Sequence, residues 1–329
     1  MKHVILPIFV PHMGCPHQCV FCNQFHITGH WQPPQLDELA SMAEEWRISS
    51  GQVPELAFYG GSFTAIETAV QEALLENASQ LKQQGVVCGI RLSTRPDALG
   101  DEVLERLHRY SVDTVEIGVQ SLDDVVLEAS RRGHTAKTAC EAVKRVKAAG
   151  FRCGAQIMVA LPEDTPERSL ATCRQVIALA PDFVRIYPTA VICDTPLAQA
   201  FESGSYAPWP MDDMLNTVAE MLELFEAADI PVIRVGLQAE DNLSQGDVIA
   251  GAYHPALGEL IKARRFRRRM TAMLQDDEKG PVTFAVAPQC LSQAIGQHRE
   301  NLIYLSKRIG HPVTVVTDPS MQQNQLERM

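Results

Sequence analysis

Three of the nine cysteines fall within eight residues, in Gly14-Cys15-Pro16-His17-Gln18-Cys19-Val20-Phe21-Cys22-Asn23. A Cys-x3-Cys-x2-Cys run brings three thiolates to one centre, and soft sulfur ligands select zinc or an iron–sulfur cluster. Four cysteines complete a cubane cluster, so three leave one iron without a protein ligand and open to a small molecule. A Cys3His zinc site, with His12, His17 or His26 as the fourth ligand, is the other reading of the same spacing. The other six cysteines stand singly, and in a run such as Val86-Val87-Cys88-Gly89-Ile90 a buried, inert thiol is expected. An odd count without a secretion signal argues against a disulfide framework.

The elements that position the triplet follow from hydropathy patterning. Strands are predicted at His3–Val10, Glu55–Tyr59, Cys88–Ser93, Thr114–Val119, Cys153–Ala160 and Phe183–Pro188. Between them, Leu36–Ile48, Ile66–Gln84, Val103–Tyr110, Ala136–Ala149 and Pro166–Leu179 have helical spacing. Thr165-Pro166 supplies a cap residue and a first-turn proline, and Gly85 and Gly150 stand just past helix ends. Strands alternating with helices imply an α/β chain with parallel pairing and right-handed crossovers. A doubly wound sheet and a partial (β/α)6 barrel both fit, and either puts chemistry at the carboxyl ends of the strands. After Pro188 a proline-rich loop leads to a predicted helix at Met211–Ala228 and a strand at Pro231–Gly236. The basic run Lys262–Arg269 and a polar linker at Asp276–Gly280 come next. Last are a strand at Val282–Ala287, one helix at Leu291–Ile309, a strand at Val313–Thr317 and a polar tail.

The chain has 329 residues, 46% hydrophobic and 21% charged, which excludes a disordered or fibrous protein. No apolar run is long enough for a membrane-spanning helix, and the opening residues do not read as a secretion signal, so a cytoplasmic location is expected. The net charge is −11, yet residues 259–329 hold eleven Lys+Arg against seven Asp+Glu. That asymmetry hints at a polyanion-facing tail on an acidic body.

Cys15, Cys19 and Cys22, with Phe21 before the third, resemble the signature of the radical S-adenosylmethionine (SAM) enzymes. The resemblance implies a [4Fe-4S] cluster on the three cysteines, with the methionine head of SAM chelating the open iron. A second family motif, a glycine pair ending the second strand, appears as Gly60-Gly61-Ser62. Further matches end successive strands: Ser93-Thr94-Arg95-Pro96-Asp97, Glu116–Ser121 with Gln120, Arg131-Arg132-Gly133-His134-Thr135, and Gln156–Pro162. By resemblance to coproporphyrinogen-oxidase-like members, Ser93, Gln120, Arg132 and Gln156 line the cosubstrate site, with Arg132 pairing the cosubstrate carboxylate. The family more often has Gly-Leu-Pro-Gly where this chain has Ala160-Leu161-Pro162-Glu163.

Most of residues 1–260 is similar to the radical domain of the catalytic subunit of Elongator, through Ser93–Asp97, Arg132–Thr135, Arg185–Thr189 and His254–Leu260. No acetyltransferase domain is expected in the residues that follow. Tyr253 and His254 are candidate acid–base or RNA-contacting groups. Leu291–Leu302 is similar to the core of a K-homology domain, in which a Gly-x-x-Gly loop clamps nucleic-acid backbone. Here that loop is Gly296-Gln297-His298-Arg299, with arginine for the second glycine. The domains implied are a radical SAM domain (1–260), a basic helix and linker (261–280) and a small αβ domain (281–329). Arg264, Arg265, Arg267, Arg268 and Arg269 are candidate phosphate contacts, with Gly296 and Arg299.

The expected protein is thus a radical SAM enzyme modifying RNA, with transfer RNA the preferred substrate and a flavodoxin- or ferredoxin-like electron donor. The same chemistry on a porphyrinogen-like small molecule is one alternative. A zinc-stapled RNA-binding protein without enzymatic activity is another.

Overall fold

A computed structural model describes residues 4–10, 15, 18–23, 35–36, 38–237, 246–275 and 277–329. Strand β1 (Ile5–Val10) buries alternate residues and pairs in parallel with β2 (Glu55–Gly60). β3 (Gly89–Thr94), β4 (Thr114–Gln120), β5 (Arg152–Val159) and β6 (Phe183–Pro188) follow in order, each parallel to the last. Helices α1 (Glu38–Ser50), α2 (Thr68–Gln83), α3 (Asp101–Arg109), α4 (Asp124–Ala129), α5 (Ala136–Ala148) and α6 (Pro166–Leu179) lie between the strands. The result is the predicted α/β architecture, an open barrel of parallel strands, except that Val232–Val235 joins as a seventh strand beside β6.

Two short strands, β7 (Ala190–Ile192) and a later one at Val248–Gly251, form an antiparallel ribbon after β6. Helix α7 (Pro196–Glu202) follows β7, and α8 (Met211–Ala227) leads to the seventh sheet strand, β8 (Val232–Val235). The ribbon partner β9 (Val248–Gly251) precedes helix α9 (Leu257–Ala272). Leu257 and Ile261 of α9 belong to the large core between sheet and helices, while Phe266 and Met270 belong to a second core under the C-terminal sheet. That sheet comprises β10 (Val282–Val286), β11 (Val313–Thr317) and β12 (Leu326–Arg328).

Local geometry follows the sequence closely where turns are short. Thr165 accepts from the Arg168 N–H ahead of Pro166, and Gly85 and Gly150 take φ of 74° and 84°. Ala160 and Glu163 both take φ of 62°, at the two positions where the resemblance expects glycine. A side chain there is strained by roughly 1–2 kcal/mol. Ala160 is held in place by its N–H to Asp164 Oδ2 (2.9 Å) and by Tyr206 Oη on its carbonyl (2.7 Å).

Three expectations change. The helix expected at Leu291–Ile309 is broken into α10 (Leu291–Ile295) and α11 (Glu300–Ile309), because Gly296, His298 and Arg299 all take positive φ. The tail expected to be irregular carries β12, which pairs antiparallel with β10. Cys88 is exposed rather than buried, since it precedes β3, where its backbone N–H donates to Pro54 O (2.9 Å).

Candidate active site

Parallel strands place their carboxyl ends along one rim, and the cysteine loop leaves β1 at that rim. Val20 fixes the loop from both sides: its N–H donates to Ser130 O (3.2 Å) and its carbonyl accepts from Leu197 N (2.9 Å). Its side chain sits in a small apolar cluster with Val191, Leu197, Ala198 and Tyr206. Anchored there, Cys15, Cys19 and Cys22 border a cavity of about 390 Å³, within the range of small-molecule and cofactor sites.

The same cavity is lined by Phe21, Gly60, Gly61, Ser62, Ser93, Gln120, Arg132 and Gln156. The structure therefore brings together every residue that sequence reasoning assigned to cluster and cosubstrate. Gly60 has φ of 106°, and a Cβ there would lie 2.9 Å from Val10 O, so only glycine lets β2 end against β1 at this rim. Ser62 Oγ hydrogen-bonds Thr94 Oγ1 (2.9 Å) and accepts the Arg95 N–H (3.1 Å), which ties the ends of β2 and β3 together. A register shift between Gly118 and Gln120, with Gln120 at φ of 62°, turns the end of β4 at the site.

Gln120 Oε1 and Arg132 Nε are buried and have no hydrogen-bond partner among the described residues. An orphaned acceptor and an orphaned donor in one cavity fit a polar ligand such as SAM, because such groups are costly unless satisfied. Arg132 Nη1 approaches Cys19 Sγ at 3.1 Å and Nη2 donates to Gly118 O at 2.7 Å. Burial, with Cys19 and Cys15 as like-charged neighbours, pushes the Cys22 thiol up to about 12, and burial also raises Cys15. Thiols crowded in this way ionise together only against a cationic group, as iron supplies. Among the described residues no three Cys, His, Asp or Glu side chains pinch onto the point one ion occupies. Cys15, Cys19 and Cys22 all border the one cavity. His12, His17 and His26 lie outside the described residues.

Beneath the cavity the barrel interior is charged. Glu116, fully buried, accepts from Arg91 Nη1 (2.8 Å), Tyr59 Oη (2.9 Å), Gln156 Nε2 (2.9 Å) and Arg185 Nη2 (3.1 Å). Arg185 Nε lies 2.8 Å from Glu116 Oε2 but is too poorly aligned to donate, so that contact is purely electrostatic. Arg91 also donates to Glu55 from Nε (3.1 Å) and Nη2 (2.6 Å). An ionised Glu116 only accepts. The Gln156 amide nitrogen therefore faces it. Sequence reasoning gave no role to Glu116, Arg91 or Tyr59, nor to Arg95, which also lines the cavity. Period-two spacing of polar residues along β2–β6 was the available signal.

The remaining candidates lie elsewhere. Tyr253 and His254 do not line the cavity, and His254 Nδ1 accepts the Ala256 N–H (3.0 Å). Three arginines of the basic run are spent on α8: Arg264, 3% exposed, donates to Asp212 Oδ1 (2.7 Å) and Asn216 Oδ1 (2.8 Å). Arg265 pairs with Glu226, and Arg268 with Glu220 (2.9 Å). Arg269 donates to Asn324 O, and Arg267 lies over the Tyr304 ring at 4.5 Å. Gln297, His298 and Arg299 are exposed on the loop between α10 and α11, and Gly296 is buried against Asn301.

Fold and site together define a radical SAM enzyme. Residues 9–176 match the Radical SAM superfamily model and residues 181–267 the Radical_SAM C-terminal domain, so the chain belongs to the Radical SAM superfamily. The cofactors of that superfamily, a [4Fe-4S] cluster and SAM, are those of this chain. The chain is 27% identical over 278 residues to a tRNA uridine(34) acetyltransferase of Dehalococcoides mccartyi, covering 71% of this chain and 61% of that protein. It is 34% identical over 179 residues to human Elongator complex protein 3, covering 54% and 32%. The chain thus spans about three fifths or less of these relatives. Among solved structures, archaeal Elp3 of Methanocaldococcus infernus, with an N-terminal deletion, has the same fold at a TM-score of 0.64 and 18% identity, over 83% of this chain and 63% of that one.

Proposed function

We propose that this chain cleaves SAM reductively at a [4Fe-4S] cluster held by Cys15, Cys19 and Cys22, and that its substrate is RNA, in particular transfer RNA. The cluster supplies the electron that turns bound SAM into a 5′-deoxyadenosyl radical source. The chain's own residues bind, orient and shield. Gly60 and Gly61, which line the cavity without side chains, let backbone approach the cosubstrate closely, Gln120 Oε1 and Gln156 Oε1 accept from its hydroxyl or amino groups, and Arg132 Nε is a free donor for its carboxylate. Phe21 and the apolar socket around Val20 keep water from the loop.

One observation carries the reading: three cysteines and four strand-end motifs, separated along the sequence, line a single cavity. The RNA part rests on relatives whose names specify a tRNA uridine and Elongator. The domain reading stands beside it: 1–260 carries the chemistry, 261–280 connects, and 281–329 is a K-homology-like appendage with Gly296–Arg299 at its exposed loop. Because Arg264, Arg265 and Arg268 are committed to α8, that loop is the better candidate for an RNA contact than the basic run.

The test is anaerobic reconstitution with iron and sulfide, then reductant and SAM with and without bulk transfer RNA. Formation of 5′-deoxyadenosine, lost in Cys19→Ala together with the brown chromophore, is the expected result, with turnover stimulated by RNA. A colourless protein carrying one zinc refutes the enzyme, and stimulation by metabolites alone refutes the RNA substrate.

A further inference from the structure

We infer that Arg132, with Arg95 behind it, sets the reduction potential of the cluster by donating to a ligand sulfur. The inference rests on Cys19 being a cluster ligand, as proposed above. Cys19, the middle cysteine of the triplet, is buried, and two guanidinium groups point at its sulfur, Arg132 Nη1 at 3.1 Å and Arg95 Nη1 at 4.0 Å. Neither arginine is free to swing away. Arg132 is pinned by Nη2 on Gly118 O (2.7 Å). Arg95 is clamped by Asp97 through Nε (2.9 Å) and Nη2 (3.1 Å), and it also donates to the Arg132 carbonyl. The pair is therefore one rigid unit, joining the loop after β3 to the loop after α4 and ending on one sulfur.

Hydrogen bonds to cluster sulfurs are among the levers that set iron–sulfur potentials. Reduction adds one electron, supplied by an external low-potential donor, and breaks or forms no bond at Cys19. The added negative charge spreads onto the ligand sulfurs, where a cationic N–H donor stabilises it, and burial limits screening. Arg132 has no carboxylate partner among the described residues, whereas Arg95 shares its charge with Asp97. Arg132 is consequently the stronger of the two. Both are positioning residues in the sense that they act through Cys19, and the same Arg132 keeps its Nε for the cosubstrate.

The experiment is a potentiometric titration of the reconstituted holoenzyme without SAM, followed by electron paramagnetic resonance, for wild type, Arg132→Lys, Arg132→Gln and Arg95→Gln. Arg132→Gln is expected to lower the equilibrium constant for reduction about tenfold, equivalent to about 59 mV for a one-electron couple. Arg132→Lys should fall between it and wild type, and Arg95→Gln should shift the potential less than Arg132→Gln. Equal potentials in all variants that hold the cluster overturn the inference. Loss of the cluster from all three, with wild-type circular dichroism, overturns it too, because the arginines then only brace the loop. A wild type that binds no cluster refutes the proposed function instead.

Discussion

Replacing Glu116 by glutamine tests how far the interior charge network stabilises the barrel. The carboxylate serves four donors from β2, β3, β5 and β6, and the network as a whole balances Glu55 and Glu116 against Arg91 and Arg185. Glutamine keeps the shape but removes the charge and sets an amide N–H₂ against donors. Arg91 retains Glu55, while Arg185 is left with no carboxylate among the described residues. Breaking a buried pair by removing one partner costs about 3–5 kcal/mol, and that is the loss expected in urea unfolding of Glu116→Gln. The effect has a pH signature. Burial alone raises the Glu116 pKa, but Arg185 and Arg91 outweigh it and hold the group below its ordinary 4.5. Its contribution is therefore complete above the unfolded value and fades as pH falls through the folded one. The double replacement Glu116→Leu with Arg185→Met should recover much of the loss, since apolar substitutes for a buried pair are often neutral. A single-variant loss below about 1 kcal/mol, or a double variant no better than the single, refutes the account.

Gly60→Ala should lower iron content after reconstitution as well as stability, because the new Cβ meets Val10 O at 2.9 Å beside the cysteine loop; normal iron binding would show that the strand end yields. Arg264→Met should lower the thermal midpoint by breaking the α8–α9 pair, about 1.5–3 kcal/mol for hydrogen bonds to a charged group, while leaving the salt dependence of RNA binding unchanged. Burial pushes Asp164 up to about 6. The folded state thus holds this proton more tightly than the unfolded one, so stability falls as pH rises from the ordinary 3.8 through about 6. Asp164→Asn should flatten that slope, read as the urea midpoint against pH, and an unchanged slope would place its origin elsewhere.

Much of this was legible in sequence because period and punctuation agree. Predicted strands such as Phe183–Pro188 match β6 residue for residue, and Gly85 and Gly150 take the left-handed conformations their positions implied. The cavity lining was legible because the chemistry sits at strand ends, whose order in sequence is their order in the sheet. What escaped was short or non-local. Helix α4 has only six residues, and the β7–β9 ribbon joins segments far apart in sequence, so neither shows a period. Asp123, which caps α4 by accepting from the Val125 and Val126 N–H groups, was its one local mark. Polar residues alternating along β2–β6 suggest a solvent face, whereas here they meet inside the barrel. The run at Arg264–Arg269 looks exposed until Asp212, Glu220 and Glu226 are found on the neighbouring helix.

Helix α9 is anchored at its start in one hydrophobic interior and near its end in another. Its sixteen residues form a strut about 24 Å long, gripped at both ends and braced along its flank by α8. The C-terminal sheet consequently cannot swivel like a bead on a string; it stands at a set distance and bearing from the barrel. A long ligand touching both would be gauged by its span as well as by its chemistry.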